Sequence, residues 1–522
     1  MKACATKAVW PESIFDVRKI LVANRGEIAV RVMRACRALG IRSVAVFSDC
    51  DRAALHVRSA DEAYHLGPSP PAESYLRIDR VVEVARRAQA DAVHPGYGFL
   101  AENAAFADAC RQAGLTFVGP SPEAMARMGS KTAAREVARS VGVPVVPGTD
   151  EPVSPQLAET DVARLAEHVG YPMLVKAVAG GGGKGMRAVR TADELPGAIR
   201  LARSEAGSAF GDTAVYFERQ VDRPRHIEIQ LIGDEQGAIV PFVERECSVQ
   251  RRHQKVIEES PSTAVTAALR ARMAEAAVAV ARASGYTNAG TIEFLLDRDG
   301  QFYFLEMNAR LQVEHPVTEA VTGIDLVAWQ IRIAQGHPVT LTQKRTLRPN
   351  GHAIECRIYA EDPDLGFLPS PGQIVAFTPP AGPGIRDDSG VRTGSEVPVF
   401  YDSLLSKLIA WGADRPQALQ RMLGALAEYD VRGVKTTIPF FRWMLRTPEF
   451  QRGAFDTTTL DAILANRRGQ PFEEISAESE ETAIVAAALQ AFLDASVVTA
   501  DAPRSSIGVS HWKSAGRLEV LR

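Results

Sequence analysis

Thr291-Ile292-Glu293-Phe294-Leu295-Leu296, Asp297-Arg298-Asp299-Gly300 and Gln301-Phe302-Tyr303-Phe304-Leu305-Glu306-Met307-Asn308-Ala309-Arg310-Leu311-Gln312-Val313-Glu314 follow one another without a break. Aromatic and branched residues fill the outer segments and turn formers fill the middle one, so the run predicts a β-hairpin. Side chains of a strand alternate between its faces. Leu305, Met307, Ala309, Leu311 and Val313 therefore share one face, and Glu306, Asn308, Arg310, Gln312 and Glu314 the other. With Leu296 paired to Gln301, Glu293 lies opposite Phe304 and Glu306 falls diagonally on the same face, ~7–8 Å away. Two carboxylates so placed, with the amide of Asn308 beside them, match the donors that hold magnesium together with substrate phosphates. A slip of one residue would send Glu293 to the other face. An amphipathic strand whose polar side merely meets water is the competing reading.

Upstream, the predicted strand Met173-Leu174-Val175-Lys176-Ala177 runs into Gly180-Gly181-Gly182-Gly183-Lys184-Gly185-Met186. Consecutive glycines leave backbone N–H groups open to wrap a polyphosphate. Lys184 precedes Gly185 rather than Ser or Thr, which excludes a P-loop, and Met186 to Arg190 alternates like a strand, which excludes the Rossmann fingerprint. A glycine hairpin acting as a phosphate lid remains, beside the alternative of a flexible surface hairpin. Val215 to Glu218 and Arg225 to Ile232 predict two further strands. Ser248-Val249-Gln250-Arg251-Arg252-His253-Gln254-Lys255 is dense in donors: alone it reads as a solvated basic loop, and next to a phosphate lid as an anion site. Ala267 to Ala283 predicts a packing helix. These parts suit an ATP site outside both common schemes. Phosphoryl transfer is mainly positioning and charge neutralisation, so a ligase and a kinase both fit and the acceptor stays open.

Toward the N-terminus, short apolar runs at Lys19–Ala23, Ser43–Phe47, Ala90–His94 and Leu115–Val118 alternate with helical patterns at Ile28–Leu39, Ile78–Ala88 and Ala104–Gln112. Such alternation predicts a doubly wound parallel sheet, with ligands beyond the strand C-terminal ends, as at His94 to Glu102. No G-x-G-x-x-G follows the first strand, which argues against a dinucleotide. Val143 to Pro155 reads as a boundary. From Gly351 a third region holds predicted strands at Ala353–Ile358, Gly372–Phe377 and Leu404–Trp411 and a helix at Ala418–Tyr429. After Asn466 an acidic stretch and a short helix, Ala483 to Leu493, form an appendage.

The chain has 522 residues, 46% hydrophobic and 24% charged, with a formal net charge of -3. That length implies several domains, and that charge offers no surface for nucleic acid. The six scattered cysteines include no Cys-x-x-Cys pair, no apolar run is long enough for a membrane span, and Met1 to Lys19 lacks a signal core. A cytoplasmic location is expected.

Six stretches, in order along the chain, resemble biotin carboxylase, an ATP-grasp enzyme. They are Lys19 to Arg34, with Ala23-Asn24-Arg25-Gly26-Glu27-Ile28-Ala29; His94-Pro95-Gly96-Tyr97-Gly98-Phe99-Leu100-Ala101-Glu102-Asn103; Gly180 to Met186; Glu246 to Lys255; Leu305 to Pro316; and Glu355 to Pro363. The resemblance spans about Lys19 to Asp461. It implies an α/β and α+β multidomain chain: a Rossmann-like N-terminal domain over 19–131, an ATP-grasp domain over 132–340, a β-rich C-terminal biotin carboxylase domain over 350–461, and an unassigned appendage over 466–522. It also implies that ATP and bicarbonate form carboxyphosphate and that biotin on a partner is carboxylated at N1. By resemblance, Lys131 and Lys176 hold ATP phosphates under Gly182 and Gly183. Glu218 and Val221 border the adenine, and His226, Gln250 and His253 line the nucleotide site. Glu293 and Glu306, assisted by Asn308, hold magnesium or manganese. Lys255 and Arg310 anchor bicarbonate and carboxyphosphate, Glu314 is the base, Arg357 stabilises the biotin enolate, and Gln312 and Val313 border bicarbonate and the ureido group.

Arg219, Lys184 and Ala309 stand where the family commonly has Lys, Arg and Thr. No Ala-Met-Lys-Met-type biotin acceptor and no carboxyltransferase region is found in the sequence. A biotin carboxyl carrier protein and carboxyltransferase subunits are therefore expected partners, in an acetyl-CoA, acyl-CoA or pyruvate carboxylase, and the resemblance implies a homodimer. The competing functions are another ATP-grasp ligase and a non-catalytic scaffold of a carboxylase complex.

Overall fold

The computed structural model describes residues 16–154, 156–178, 185–467, 469–473 and 477–498. The first sheet begins with β1 (Lys19–Val22), followed by helix α1 (Gly26–Ala38), β2 (Arg42–Ser48), β3 (Glu62–Gly67), β4 (Ala92–His94) and β5 (Thr116–Phe117). Its order is β3-β2-β1-β4-β5 and every pair is parallel. The predicted doubly wound sheet is present, with β3 added at an edge where its short, half-exposed pattern gave no apolar run. At the C-terminal end of β1, Asn24 Nδ2 donates to the carbonyls of Pro95 (2.7 Å) and Tyr97 (2.8 Å), fixing the His94 to Glu102 segment beside the strand ends.

A small antiparallel sheet follows, made of β6 (Met173–Ala177), β7 (Met186–Val189) and β8 (Val215–Arg219) in the order β7-β6-β8. The predicted glycine hairpin joins β6 to β7. Its glycines 180–183, and Lys184, lie outside the described residues.

The largest sheet carries β9 (Arg225–Gly233), β10 (Ile239–Pro241), β11 (Arg245–Arg251), β12 (Gln254–Ser260), β13 (Asn288–Leu296), β14 (Phe302–Asn308) and β15 (His352–Tyr359), continuing into the strands Leu404–Gly412 and Ile385–Ser389. The order runs β14-β13-β9-β11-β12-β15, so β12 hydrogen-bonds directly to the first strand of the C-terminal region. The donor-rich stretch Ser248 to Lys255 is thus a hairpin rather than a loop. Arg252 and His253 occupy its tip with φ of 50° and 66°, the left-handed geometry of a two-residue turn that matches strand twist. Gly372 to Phe377 is not one strand. It breaks into Gly372–Gln373 and Ala376–Thr378, which pair with Glu396–Val397 and Asp430–Arg432 respectively, because the chain passes from one partner strand to another.

The β13–β14 hairpin departs from its predicted register in a way that matters. Asp297 Oδ1 accepts from the backbone N–H groups of Asp299 and Gln301, both at 2.9 Å, and Leu296 pairs with Phe302 instead of Gln301. That one-residue slip alone would separate Glu293 from Glu306. A β-bulge at Leu305 reverses it: Phe294 pairs with Phe304, and the next pair is Glu293 with Glu306. The two carboxylates are directly opposed, closer than the diagonal placement expected from a regular ladder. Beyond Asn308 the chain leaves the strand, and Ala309 to Glu314 form a loop that ends at the helix His315–Thr322.

Under the hairpin lies a core of Phe294, Phe302, Phe304, Ile227, Ile229 and Met273. Residues 471–522 separate as a second unit, in which Ala477–Val498 is helical, longer than the predicted Ala483 to Leu493. Among the described residues no helix is long and apolar enough to cross a membrane. Phe304 is fully buried under the bulge. Phe304→Ala should cost about 3–5 kcal/mol of stability in chemical denaturation.

Candidate active site

Lys255 stands two residues beyond the tip of the β11–β12 hairpin and reaches across to β9 and β13. Its ammonium donates to Glu228 Oε2 (2.7 Å), Glu293 Oε1 (2.8 Å) and Glu314 Oε1 (2.6 Å). Glu228 and Glu293 are a direct cross-strand pair, so two like charges face each other and a cation between them is obligatory. Burial works against the Lys255 charge, but Glu228, Glu293 and Glu314 raise its pKa well above the ordinary lysine value. Burial likewise works against the Glu314 carboxylate, yet Lys255, Arg357 and Arg245 hold it well below the usual range. Arg245, wholly buried, braces the far side: it pairs with Glu228 and donates to Gln230 Oε1 and Thr318 Oγ1, both at 2.9 Å.

On the hairpin side, Glu293 also receives Asn308 Nδ2 at 2.9 Å and Gln312 Nε2 at 3.3 Å, and His226 Nε2 lies 3.0 Å away. The opposed Glu306 has Lys131 Nζ at 3.9 Å. Burial, then the Glu293 charge, raises the pKa of Glu306. This is an electrostatic demand for a cation, and two carboxylates with an amide are the hard oxygen donors that magnesium and manganese take. Among the described residues two other donor groups have their ligand atoms within 4.8 Å of one another, His226 with Glu228 and Glu293, and Glu228 with Cys247 and Glu314. Both already surround the Lys255 ammonium, and burial pushes the Cys247 thiol well up, away from the thiolate a soft metal needs. The Glu293–Glu306 face fits the divalent ion better.

The nucleotide candidates gather on the small sheet and the hairpin. Lys176 Nζ donates to both oxygens of Glu218 (2.9 and 2.7 Å), and Arg135 lies 3.6 Å from the same carboxylate. Gln250 Nε2 lies 2.8 Å from His226 Nδ1, linking two predicted nucleotide residues. Val221 follows β8 half-buried, and His253 is exposed at the hairpin tip. Gly182 and Gly183 lie outside the described residues.

The loop Ala309 to Glu314 supplies the rest. Glu102, from the strand-end segment of the first sheet, accepts from the Ala309 backbone at 3.0 Å and from Arg310 Nε at 2.9 Å. Arg310 also donates to Gln312 Oε1 (3.0 Å) and Asn308 Oδ1 (3.2 Å). Arg357, on β15, donates from Nη2 to Glu314 Oε2 (2.9 Å) and from Nε to Glu258 Oε1 (2.7 Å). The large sheet and the loop after β14 therefore bring the opposed carboxylates Glu293 and Glu306, the shared lysine, the buried Glu314 and two arginines together.

Three family models match the chain: the N-terminal domain of biotin carboxylase over residues 16–125, the ATP binding domain of the carbamoyl-phosphate synthase L chain over 130–342, and the C-terminal domain of biotin carboxylase over 355–462. The chain belongs to the biotin carboxylase family. It is similar to biotin carboxylase of Nostoc sp., 52% identical over 440 residues, which take in 84% of this chain and 98% of that one. A pyruvate carboxylase subunit of Methanothermobacter thermautotrophicus is 52% identical over 482 residues, 92% of this chain and 96% of that one. Among solved structures, the biotin carboxylase domain dimer of Hydrogenobacter thermophilus 2-oxoglutarate carboxylase, in complex with MgADP, ADP and bicarbonate, superposes with a TM-score of 0.84 at 43% identity, covering 89% of this chain and all of that one. As a biotin carboxylase, this chain is an ATP-dependent carboxylating ligase with the three-part architecture of its family.

Several residues of this biotin carboxylase site escape a reading of its sequence. Glu228 was within reach, since it shares the alternating face of β9 with His226. Glu102 lay in the strand-end segment expected to face ligands, but its partner Arg310 did not show; Arg245 and Glu258 had no local signal, because each acts through a residue on another element.

Lys255→Gln would remove the shared cation. Folded Glu293 and Glu314 have lowered pKa values, so the stability they contribute is present above their unfolded value, ~4.3, and is lost as pH falls below it. Folded Lys255 has a raised pKa, so its contribution is complete below ~10.4 and lost as pH rises further. Calorimetry should find the melting temperature of Lys255→Gln furthest below that of the unsubstituted protein between about pH 5 and pH 10, with the gap narrowing at about pH 3.

Proposed function

We propose that this face forms carboxyphosphate from ATP and bicarbonate and then carboxylates biotin, with the residues acting in separate groups. The observation that carries the proposal is the shared Lys255, which touches the metal-side carboxylate Glu293 and the candidate base Glu314 at once. Lys131, Lys176, Gly182 and Gly183 hold the ATP phosphates. Glu218, Val221, His226, Gln250 and His253 line the rest of the nucleotide. A magnesium or manganese ion, held by Glu293 and Glu306 with Asn308 assisting, neutralises charge on those phosphates when bound.

Bicarbonate enters between Lys255 and Arg310, beside Gln312 and Val313. Its carboxylate oxygens take the N–H groups that now serve Glu293, Glu314 and Glu102. A planar oxyanion accepts two parallel bonds from a guanidinium, which suits Arg310 to this place. As Lys255 turns to bicarbonate, Glu314 loses its strongest partner and its proton affinity rises; the bicarbonate proton passes to it and the dianion stays beside the two cations. An oxygen of that dianion attacks the terminal phosphorus and ADP leaves. The C–O bond of carboxyphosphate then breaks and phosphate leaves; the biotin N1 proton passes to that phosphate, Arg357, 2.9 Å from Glu314, stabilises the negative charge left on the ureido oxygen, and N1 bonds to the carboxyl carbon.

We keep the domain limits 19–131, 132–340 and 350–461, with 466–522 as an appendage, and place the protein in the cytoplasm as a homodimer. Its biotin arrives on a biotin carboxyl carrier protein and leaves for a carboxyltransferase, in an acetyl-CoA, acyl-CoA or pyruvate carboxylase. The relatives named for biotin carboxylase and for pyruvate carboxylase support this class of assembly.

ADP release should depend on bicarbonate and be stimulated by free biotin; stimulation by an amine or amino acid instead would point to a different ligase. Glu314→Gln should retain ATP affinity within about twofold while turnover falls by ~10²–10⁴, the usual contribution of a positioned base. Near-normal turnover of that variant would remove Glu314 from the base role.

A further inference from the structure

Lys407 lies in the middle of the strand Leu404–Gly412 and is completely buried. A buried ammonium needs both a counter-ion and full hydrogen bonding. Its counter-ion is Glu27, in the first turn of α1, 3.2 Å away. The other oxygen of Glu27 accepts from the hydroxyl of Tyr97, whose ring centroid is 5.7 Å from Lys407 Nζ. The remaining contact leads to the active site: Lys407 Nζ donates to the backbone carbonyl of Val313 at 2.8 Å.

Val313 is the residue before Glu314, so its carbonyl belongs to the peptide plane that sets where the Glu314 backbone starts. Few other ties hold this loop. Glu102 holds its beginning, at Ala309 and Arg310, and the interactions of Arg310 and Gln312 stay within the loop or reach Glu293. At its end the Glu314 side chain is held by Lys255 and Arg357, and Lys407 holds the backbone, through the Val313 carbonyl. The approach of the C-terminal strands to α1 is also enforced by close packing, since a Cβ on Gly390 would meet the Glu27 backbone nitrogen at 2.5 Å. Lys407 thus has a fixed origin, a fixed counter-ion and one donor aimed at the loop.

We propose that Lys407 is a positioning residue for the reaction, fixing the Val313–Glu314 peptide so that Glu314 faces Lys255 and bicarbonate. This rests on the biotin carboxylase reading above. It assigns to Glu27 a different task, that of neutralising the lysine without touching the loop.

The two tasks can be separated. Lys407→Met strands the Glu27 carboxylate in the interior and should unfold readily, so it is uninformative by itself. In Glu27→Gln/Lys407→Met both charges go, and thermal stability should return close to that of the unsubstituted protein, as it does when a buried pair is replaced whole. The Val313 carbonyl nevertheless stays without its donor. For this double variant kcat/KM for bicarbonate should fall about 10- to 100-fold, the range that corresponds to one charge-assisted hydrogen bond, with ATP affinity within about twofold. Glu27→Gln alone, which keeps the donor, should lose stability and keep kcat/KM for bicarbonate within about threefold. Full bicarbonate kcat/KM in a stable double variant would overturn the proposal and leave Lys407 as half of an ion pair. Absence of bicarbonate-dependent ADP release in the unsubstituted protein would instead overturn the functional reading.

Discussion

The site depends on one crowded ammonium. Glu228, Glu293 and Glu314 come from β9, β13 and the loop after β14, and all three reach Lys255 within 2.8 Å. Without that cation three carboxylates would share a water-poor interior, a repulsion that folding could relieve only by protonating them or moving them apart. With it, charge from three separate segments is drawn to one point. The same contact makes the site responsive: any anion that draws Lys255 away weakens its hold on Glu293 and Glu314 together. Glu293 and Glu314 are thereby coupled through a single proton donor with three places to donate.

The geometry around this point is set by backbone devices rather than by side-chain identity. A regular ladder with Leu296 opposite Phe302 would turn Glu306 away from Glu293, and the extra residue at Leu305 turns it back. The hairpin tip at Arg252 and His253 fixes the register in which Lys255 lies beside Gln250. Continuity of the large sheet from β12 into β15 then carries Arg357 alongside Glu258 and within reach of Glu314. Each device is worth little energy on its own, but each decides which face a charged group occupies.

Much of this was legible in the sequence, and the boundary is physical. Strong period-two and helical patterns marked β6, β9, the helix Ala267–Ala283 and both arms of the β13–β14 hairpin, because burial of one face leaves a local imprint. The extended motifs identified the family and, by resemblance, Lys255, Arg310, Glu314 and Arg357, which the structure brings together. The bulge left no imprint, since Leu305 suits a regular strand as well as a bulged one. The contacts of Glu102 and Lys407 were invisible for another reason: their partners, Arg310 and Val313, are reached only after three regions of chain have packed. The carboxylate Glu228 was visible as a pattern, but a strand face does not say which of its polar residues will meet a lysine.

Behind Arg357 the carboxylates are graded in a way that bears on catalysis. Glu258 accepts from Arg357 and lies opposite Glu355 in the β12–β15 register. Burial pushes Glu258 up to about 7, against the pull of Arg357, and pushes Glu355 well above the ordinary carboxylate value. Glu314, bonded to the same guanidinium, is held well below it. Of three acids near one arginine, burial therefore disfavours the charged form at Glu355 and Glu258, while the surrounding cations favour it at Glu314. Two full negative charges at Glu258 and Glu355 would compete with Glu314 for Arg357 and with any anion the guanidinium must hold. Weakening the charge at Glu355 weakens one competitor and leaves the Arg357 guanidinium to Glu314.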